Sequence, residues 1–340
     1  MRSILPGITP ILWGLSLCCI PAAAQREFVG AGATFPEPLY TRWFAAFGET
    51  RPEYRIRYES VGSEEGVRRL REGKADFAGS DMPLDDERLS GLGRLVLQLP
   101  STIGAVVPIY HVDGVTTDLH FTPEALAGIF LGRIKQWSDP AIQAANRGVR
   151  LPHRGIQVVH RSDGSGTTFV WTDYLSKVSA EWKSAAGAGT SVEWPVGVGA
   201  TGNEGVARQV SATADSIGYV GFIYALRGRL SYGAVRNSAG RFVAADLESI
   251  AAAAANWAPS MPANFRLSIT NAPGRNSYPI ASFTYLLMVV REGDAAKNAF
   301  MGDLLQWILT IGQRQSAGLG YGSLPPEIVD REQQAIRALR

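Results

Sequence analysis

The sequence predicts an α/β protein of two domains. Turn signals and short apolar strands alternate with helix-period segments along the chain, and no internal repeat or low-complexity tract breaks that alternation. A length of 340 residues also exceeds what one hydrophobic core usually serves.

Residues 1–24 read as an export signal rather than as part of the fold. Arg2 is the only charge, an apolar stretch runs from Ile4 to Ile20, and Ala22-Ala23-Ala24 offers a small-residue cleavage site. Pro6 and Pro10 interrupt the stretch, which is short for a membrane span, and no second stretch of spanning length follows. Cys18 and Cys19, the chain's 2 cysteines, both fall in this leader, and neither follows the small residue of a lipoprotein signal. The exported part therefore has no thiol for a disulfide, a metal or nucleophilic attack. Cysteine-free export points to the Gram-negative periplasm.

The first helix is expected to begin near Pro36, since proline suits a first turn, and to place Leu39, Tyr40, Trp43, Phe44 and Phe47 on one core-facing side. Tyr54–Glu59 alternates as a strand. A second helix follows Ser63, turns Val67 and Leu70 inward and stops at Gly73. Leu95–Leu99, Ile156–Val159 and Ile217–Val220 are apolar runs of strand length. One helix is expected from Thr122-Pro123-Glu124, and another from near Gly166 that buries Val170, Tyr174, Leu175 and Val178.

Charge narrows the function classes. Lys and Arg number 33 against 31 Asp and Glu, and no long run of one sign occurs, so neither nucleic acid nor an acidic membrane is an expected partner. His111, His120 and His153 show no metal-ligand spacing, and no metal or cofactor is expected.

The chemistry gathers at three helix starts. The first ~4 backbone N–H groups of a helix lack internal partners and carry partial positive charge, so such ends attract oxyanions. Residues 30–36, GAGATFP, offer the Thr34 hydroxyl and the Phe35 amide. Residues 161–168, RSDGSGTT, offer Ser165, Gly166 and Thr167, with Arg161 able to grip two oxygens at once. They lack the lysine and spacing of an ATP-binding loop. Ser63 could serve the same purpose or simply cap its helix. Asp81, in DFAGSDMPL at 76–84, would be a surface turn residue or a selectivity element. An ionised carboxylate only accepts hydrogen bonds, so it favours an oxyanion that still carries a proton, as phosphate does and sulfate does not.

Taken together, these segments resemble the PstS family, periplasmic phosphate-binding proteins of phosphate ABC transporters. The likeness rests on GAGATFPEPLY at 30–40, SVGSEEGV at 60–67, DFAGSDMPL at 76–84 and IFLGRIKQWSDPAI at 129–142. It continues in VVHRSDGSGTTFVWTDYLSKV at 158–178, VEWPVGVGATGNEGV at 192–206 and SIGYVGFIYA at 216–225. It implies a type II-like binding protein with the ligand cleft between two α/β domains, one formed by 25–103 plus 284–340 and the other by 104–283. It also implies phosphate ligands at Thr34, Phe35, Ser63, Asp81, Arg161, Ser165, Gly166 and Thr167, with Asp163 holding the arginine fork. The implied partners are inorganic phosphate and the transporter's permease and ATPase subunits, with the binding protein a monomer and not an enzyme.

One departure stands out. The family has small residues after the serine, whereas here Glu64 and Glu65 follow Ser63. Acidic residues in a first helical turn favour the dipole by roughly 0.3–1 kcal/mol each, yet would oppose a dianion if they turned into the cleft. They are expected to face solvent. Two other readings compete: a binding protein for a different oxyanion, and a secreted phosphatase or serine hydrolase built on His160, Asp163 and Ser165.

Overall fold

The computed structural model describes residues 25–290 and 293–337, so the leader expected over 1–24 lies outside the described residues. The chain opens with β1 (Arg26–Gly32), α1 (Glu37–Thr50), β2 (Tyr54–Ser60), α2 (Ser63–Arg71), β3 (Phe77–Ser80), α3 (Asp86–Ser90) and β4 (Val96–His111). Its middle supplies β5 (His120–Phe121), α4 (Pro123–Phe130), α5 (Pro140–Gln143), β6 (Gln157–Arg161), α6 (Gly166–Val178) and α7 (Ala180–Ala185). Next come β7 (Val198–Ala200), α8 (Gly202–Ala212), β8 (Ser216–Gly221), α9 (Phe222–Gly228), β9 (Ser231–Tyr232), β10 (Ala234–Arg236), β11 (Phe242–Val243) and α10 (Leu247–Trp257). The last segments are β12 (Ala281–Val289), α11 (Ala295–Trp307), α12 (Gln313–Ser316) and α13 (Pro326–Arg337).

The helices form where local chemistry places them. Pro36 leads into α1, whose Leu39, Tyr40, Trp43, Phe44 and Phe47 are all buried. The hydroxyl of Thr122 caps α4 by accepting from the Ala125 N–H, and Pro123 occupies its first turn. α2 buries Val67 and Leu70, and Gly73, at φ +71°, lies just beyond its end. In α6, Val170, Tyr174 and Leu175 are buried as expected, while Val178 is only partly so.

One sheet runs through the molecule in the order β2-β1-β3-β12-β4-β8-β6-β7, with β9 also on β4; a small sheet joins β11, β10 and β5. β1 pairs in parallel with β2 and β3 on one side, and β6 in parallel with β7 and β8 on the other. The two halves form two lobes, and β4 belongs to both. Its segment Val96–Ala105 pairs antiparallel with β12, and Val106–His111 pairs with β8. The expected strand Leu95–Leu99 is thus only the start of a much longer one. Opposite Thr284 and Tyr285 the register shifts, leaving Ser101 as an extra residue on β4. Its hydroxyl donates to the Thr284 carbonyl (3.0 Å), and its own carbonyl accepts from Gln313 Nε2 (2.8 Å).

Candidate functional site

The carboxyl ends of β1, β2, β3 and β6 meet where the two lobes face each other, the usual ligand position in open α/β sheets. β1 delivers Thr34 and Phe35 to the start of α1, β2 delivers Ser63 to α2, β3 ends before Asp81, and β6 ends on Arg161 ahead of α6. Of these residues, Thr34, Phe35, Ser63, Asp81, Arg161, Ser165 and Thr167 are each no more than 8% exposed. That is far deeper burial than a cation, a carboxylate and several hydroxyls receive without a reason.

Contacts across the lobes draw the set together. The Gly166 N–H donates to Ser63 Oγ at 3.0 Å. Ser63 is the first residue of α2 and makes no capping bond within it, so the simple capping role does not hold. A Cβ placed on Gly166 would overlap Ser63 Oγ, Asp81 Oδ2 and Asp81 Cβ. Glycine is therefore required for this approach, whatever its backbone angles. Gly62, at φ +93°, is equally constrained: a Cβ there would sit 2.8 Å from the Gly164 carbonyl and 2.9 Å from Asp163 Oδ2. Ser165 caps α6 by accepting from the Thr168 N–H at 3.1 Å, and its own N–H donates to the Thr190 carbonyl at 2.8 Å. Phe35 forms wall rather than chemistry with its ring, set edge-on to Tyr321 at 5.9 Å. Its carbonyl accepts from the Tyr321 hydroxyl at 2.5 Å.

Arg161 and Asp81 carry the electrostatics. The Arg161 fork donates from Nε to Asp163 Oδ1 at 2.7 Å and from Nη2 to Asp163 Oδ2. Nη1 is buried with no hydrogen-bond partner. Burial alone would raise the Asp163 carboxyl, but the bonds and charge of Arg161, with the Gly202 N–H at 3.0 Å, hold it below the usual carboxylate range. Asp81 has the opposite balance. Burial pushes its carboxyl up to about 7, against a 2.7 Å bond from Thr284 Oγ1 to Oδ1 and the charge of Arg161. Its Oδ2 is likewise buried and unpartnered. One donor and one acceptor are thus left unsatisfied in a site entered by three helix N-termini.

Two further residues of the candidate site were not visible in the sequence. Thr284 orients Asp81 from a strand 203 residues away. Asn203, fully buried, accepts from the Gly221 N–H at 2.9 Å through Oδ1, which fixes the amide so that Nδ2 faces the cleft. Nδ2 donates to Thr34 Oγ1 at 2.7 Å and to Thr167 Oγ1 at 3.2 Å. A hydroxyl that accepts from the amide keeps its single proton for something else, so Asn203 turns both threonines into donors toward the pocket. The residue lies in the run at 192–206, but an uncharged amide gave no separate signal there.

The two acidic residues after Ser63 divide. Glu65 faces outward and accepts from Arg68 and Arg69, which hold its carboxyl down at about 2. Glu64, as open to solvent as Glu65, also lies along the seam between the lobes, bonded to Arg88 and Thr190. The hydrolase trio is not assembled. His160 stacks on Trp194 at 4.7 Å, with Nδ1 at 3.1 Å from the Arg161 carbonyl, while Asp163 is committed to Arg161 and the Ser165 hydroxyl to its helix. Among the described residues no helix is long and apolar enough to cross a membrane.

Residues 20–310 match the family model described as a PBP superfamily domain. The phosphate-binding protein PstS of Xylella fastidiosa is 46% identical over 315 residues, covering 91% of this chain and 85% of that protein. That of Pasteurella multocida is 42% identical over 311 residues, covering 91% and 89%. The solved structure of a high-affinity periplasmic phosphate-binding protein bound with phosphate has a TM-score of 0.72 at 21% identity, covering 91% and 93%, a likeness of fold. Sequence kinship along nearly the whole chain and a shared two-lobed architecture lead to one assignment: the chain belongs to the PstS family of phosphate-binding proteins within the PBP superfamily.

Proposed function

We propose that the pocket between the lobes binds inorganic phosphate in the periplasm and passes it to the permease and ATPase subunits of an ABC transporter, with the protein acting as a monomeric receptor rather than an enzyme. The observation that carries this reading is the pairing of two buried, unpartnered atoms, Arg161 Nη1 and Asp81 Oδ2. A tetrahedral anion with one remaining proton satisfies both: an ionised oxygen accepts from the guanidinium while the P–O–H donates to the carboxylate. Thr34, Ser63, Ser165 and Thr167 hydroxyls and the helix-start amide at Phe35 then serve the remaining lone pairs, while the Gly166 N–H, spent on Ser63 Oγ, leaves that hydroxyl's proton for the anion. The depth of these groups favours the free ion over an ester, whose organic group would need room beside them. Neither Arg161 nor Asp81 lines the cavity of about 330 Å³ bordered by Thr34, Asp163, Asn203 and Tyr224.

Release follows from the same design. The proposed domains, 25–103 plus 284–340 and 104–283, would swing about the strands β4 and β12 that join them. Opening separates Thr34 and Ser63 from Asn203 and Gly166, so only the closed form offers the complete donor set, and phosphate shifts the population toward it.

The direct test unfolds the protein to strip carried-over ligand, refolds it and titrates it calorimetrically with phosphate and then sulfate at neutral pH. Tight one-to-one phosphate uptake with a weak sulfate response is expected; a folded protein that takes up no phosphate would falsify the reading. Asn203→Asp is expected to weaken phosphate binding at least tenfold at pH 8, because a carboxylate there would accept from both threonines and add a charge facing the anion. The loss should shrink as pH falls and the new carboxyl protonates. Asn203→Ala, which adds no charge, should lose less.

A further inference from the structure

Glu64 follows Ser63 in the first turn of α2, and its surroundings give it a specific task. Its backbone N–H donates across the seam to the Gly164 carbonyl at 3.2 Å. Its side chain lies so close to Gly164 that a Cβ on that glycine would fall 2.7 Å from Glu64 Cγ. Thr190, from the opposite lobe, donates to Glu64 Oε1 at 2.6 Å. On its own lobe, Arg88 Nη2 reaches Oε1 at 2.9 Å and Oε2 at 2.8 Å. Both carboxylate oxygens are thus covered by a cation, so the charge is spent locally and not on repelling an anion. The Thr190 carbonyl also accepts from Ser165 N–H at 2.8 Å, so the chain of bonds runs Arg88, Glu64, Thr190, Ser165 and ends on the cap of α6.

We propose that Glu64 is a closure latch: by binding Thr190 only when the lobes meet, it stabilises the closed form, seats Ser165 and slows the release of phosphate. This rests on the phosphate reading above. A bond made only in the closed state raises apparent affinity by favouring closure with or without the anion, and because the anion leaves only through the open form, its effect falls on dissociation more than on association. Glu64 is a positioning residue; the oxygens of phosphate are met by the groups it holds.

Stopped-flow kinetics of phosphate binding on Glu64→Ala, Thr190→Val and the double variant test this. The latch predicts a dissociation rate about tenfold or more faster in each single variant, the usual worth of a hydrogen bond to a charged group. The association rate should stay within about threefold of wild type. The double variant should be no faster than the faster single, since both remove one bond. Glu64→Gln keeps an acceptor for Thr190 while losing the ion pair with Arg88, and should recover part of the loss. A Glu64→Ala protein that releases phosphate at the wild-type rate, or binds it more tightly, overturns the latch and makes Glu64 an opponent of the anion. Rate effects that multiply in the double variant overturn it too. Small-angle scattering on ligand-free protein tests closure independently of phosphate: Glu64→Ala should have a larger radius of gyration than wild type, and equal values overturn the latch. A wild type that takes up no phosphate sinks the site reading, and closure is then decided by that scattering comparison alone.

Discussion

Replacing Arg161 with alanine is expected to weaken phosphate binding by roughly three orders of magnitude while leaving a folded protein. The guanidinium does two things at once. Nε and Nη2 are held by Asp163, and Nη1 is the buried donor left for the anion. Removing it deletes that donor and also strips Asp163 of its counter-charge, leaving a carboxylate bonded mainly to the Gly202 N–H beside the incoming anion. Truncating one partner of a buried charge pair between a protein and what it binds costs about 2–5 kcal/mol, and about 4 kcal/mol corresponds to a thousandfold in affinity. Arg161→Lys should recover little, because a single ammonium cannot replace a fork that grips Asp163 with two nitrogens and presents a third. Calorimetric titration with a parallel thermal melt reads both quantities. Binding within tenfold of wild type in a folded Arg161→Ala protein would remove Arg161 from the site.

The second large effect belongs to Asp81, and its sign depends on pH. Its ligand-free carboxyl titrates at about 7, above the ordinary value of 3.8, because burial outweighs the Thr284 bond and the Arg161 charge. The folded protein therefore holds a proton that the unfolded chain has already released, and stability contributed at low pH is lost as pH rises from about 4 through 7. Asp81→Asn should remove that loss, stabilising the ligand-free protein at pH 8 by on the order of 2–4 kcal/mol with little change at pH 4. Selectivity should move the other way. Above pH 7 the carboxylate accepts only, so sulfate finds no partner for one oxygen. As pH falls the protonated carboxyl becomes a donor, and sulfate affinity should rise. Asp81→Asn, whose amide always offers a donor, should bind sulfate with little pH dependence. A phosphate-to-sulfate affinity ratio unaltered by the substitution would refute the selectivity account.

Much of this is legible in the sequence because the signals are local. Pro36 and the apolar side of α1 need only helical periodicity, and the hydroxyl and glycine residues before α6 mark an anion-attracting end directly. The resemblance to the PstS family then ties Thr34, Ser63, Asp81 and Arg161 to one ligand, which no spacing rule could do across such separations. Only the first residues of β4 show as a strand, since Ser101 and Thr102 break the apolar run and a strand buried between two neighbours shows no alternation. Asn203 and Thr284 escape for a different reason. Their importance lies in partners 169 and 203 positions away, and neither residue type is unusual alone. The solvent-facing expectation holds for Glu65 and Glu64 alike, but the bond from Thr190 to Glu64 is not legible, because nothing near residue 64 in the chain announces that Thr190 will be there.

The position of β12 has a consequence for how the chain is made. Residues 281–289 fill the middle of the sheet, between β3 and β4, strands that end at Ser80 and His111, far earlier in the chain. Until that segment is available, the first lobe has a gap where its central strand belongs, and the edges of β3 and β4 have no neighbour to join them. Closing such a gap requires contacts of very long sequence separation, which are slow to form. A growing polypeptide would thus stay open until nearly all of it had been synthesised, the condition in which a chain can still be threaded through a narrow channel.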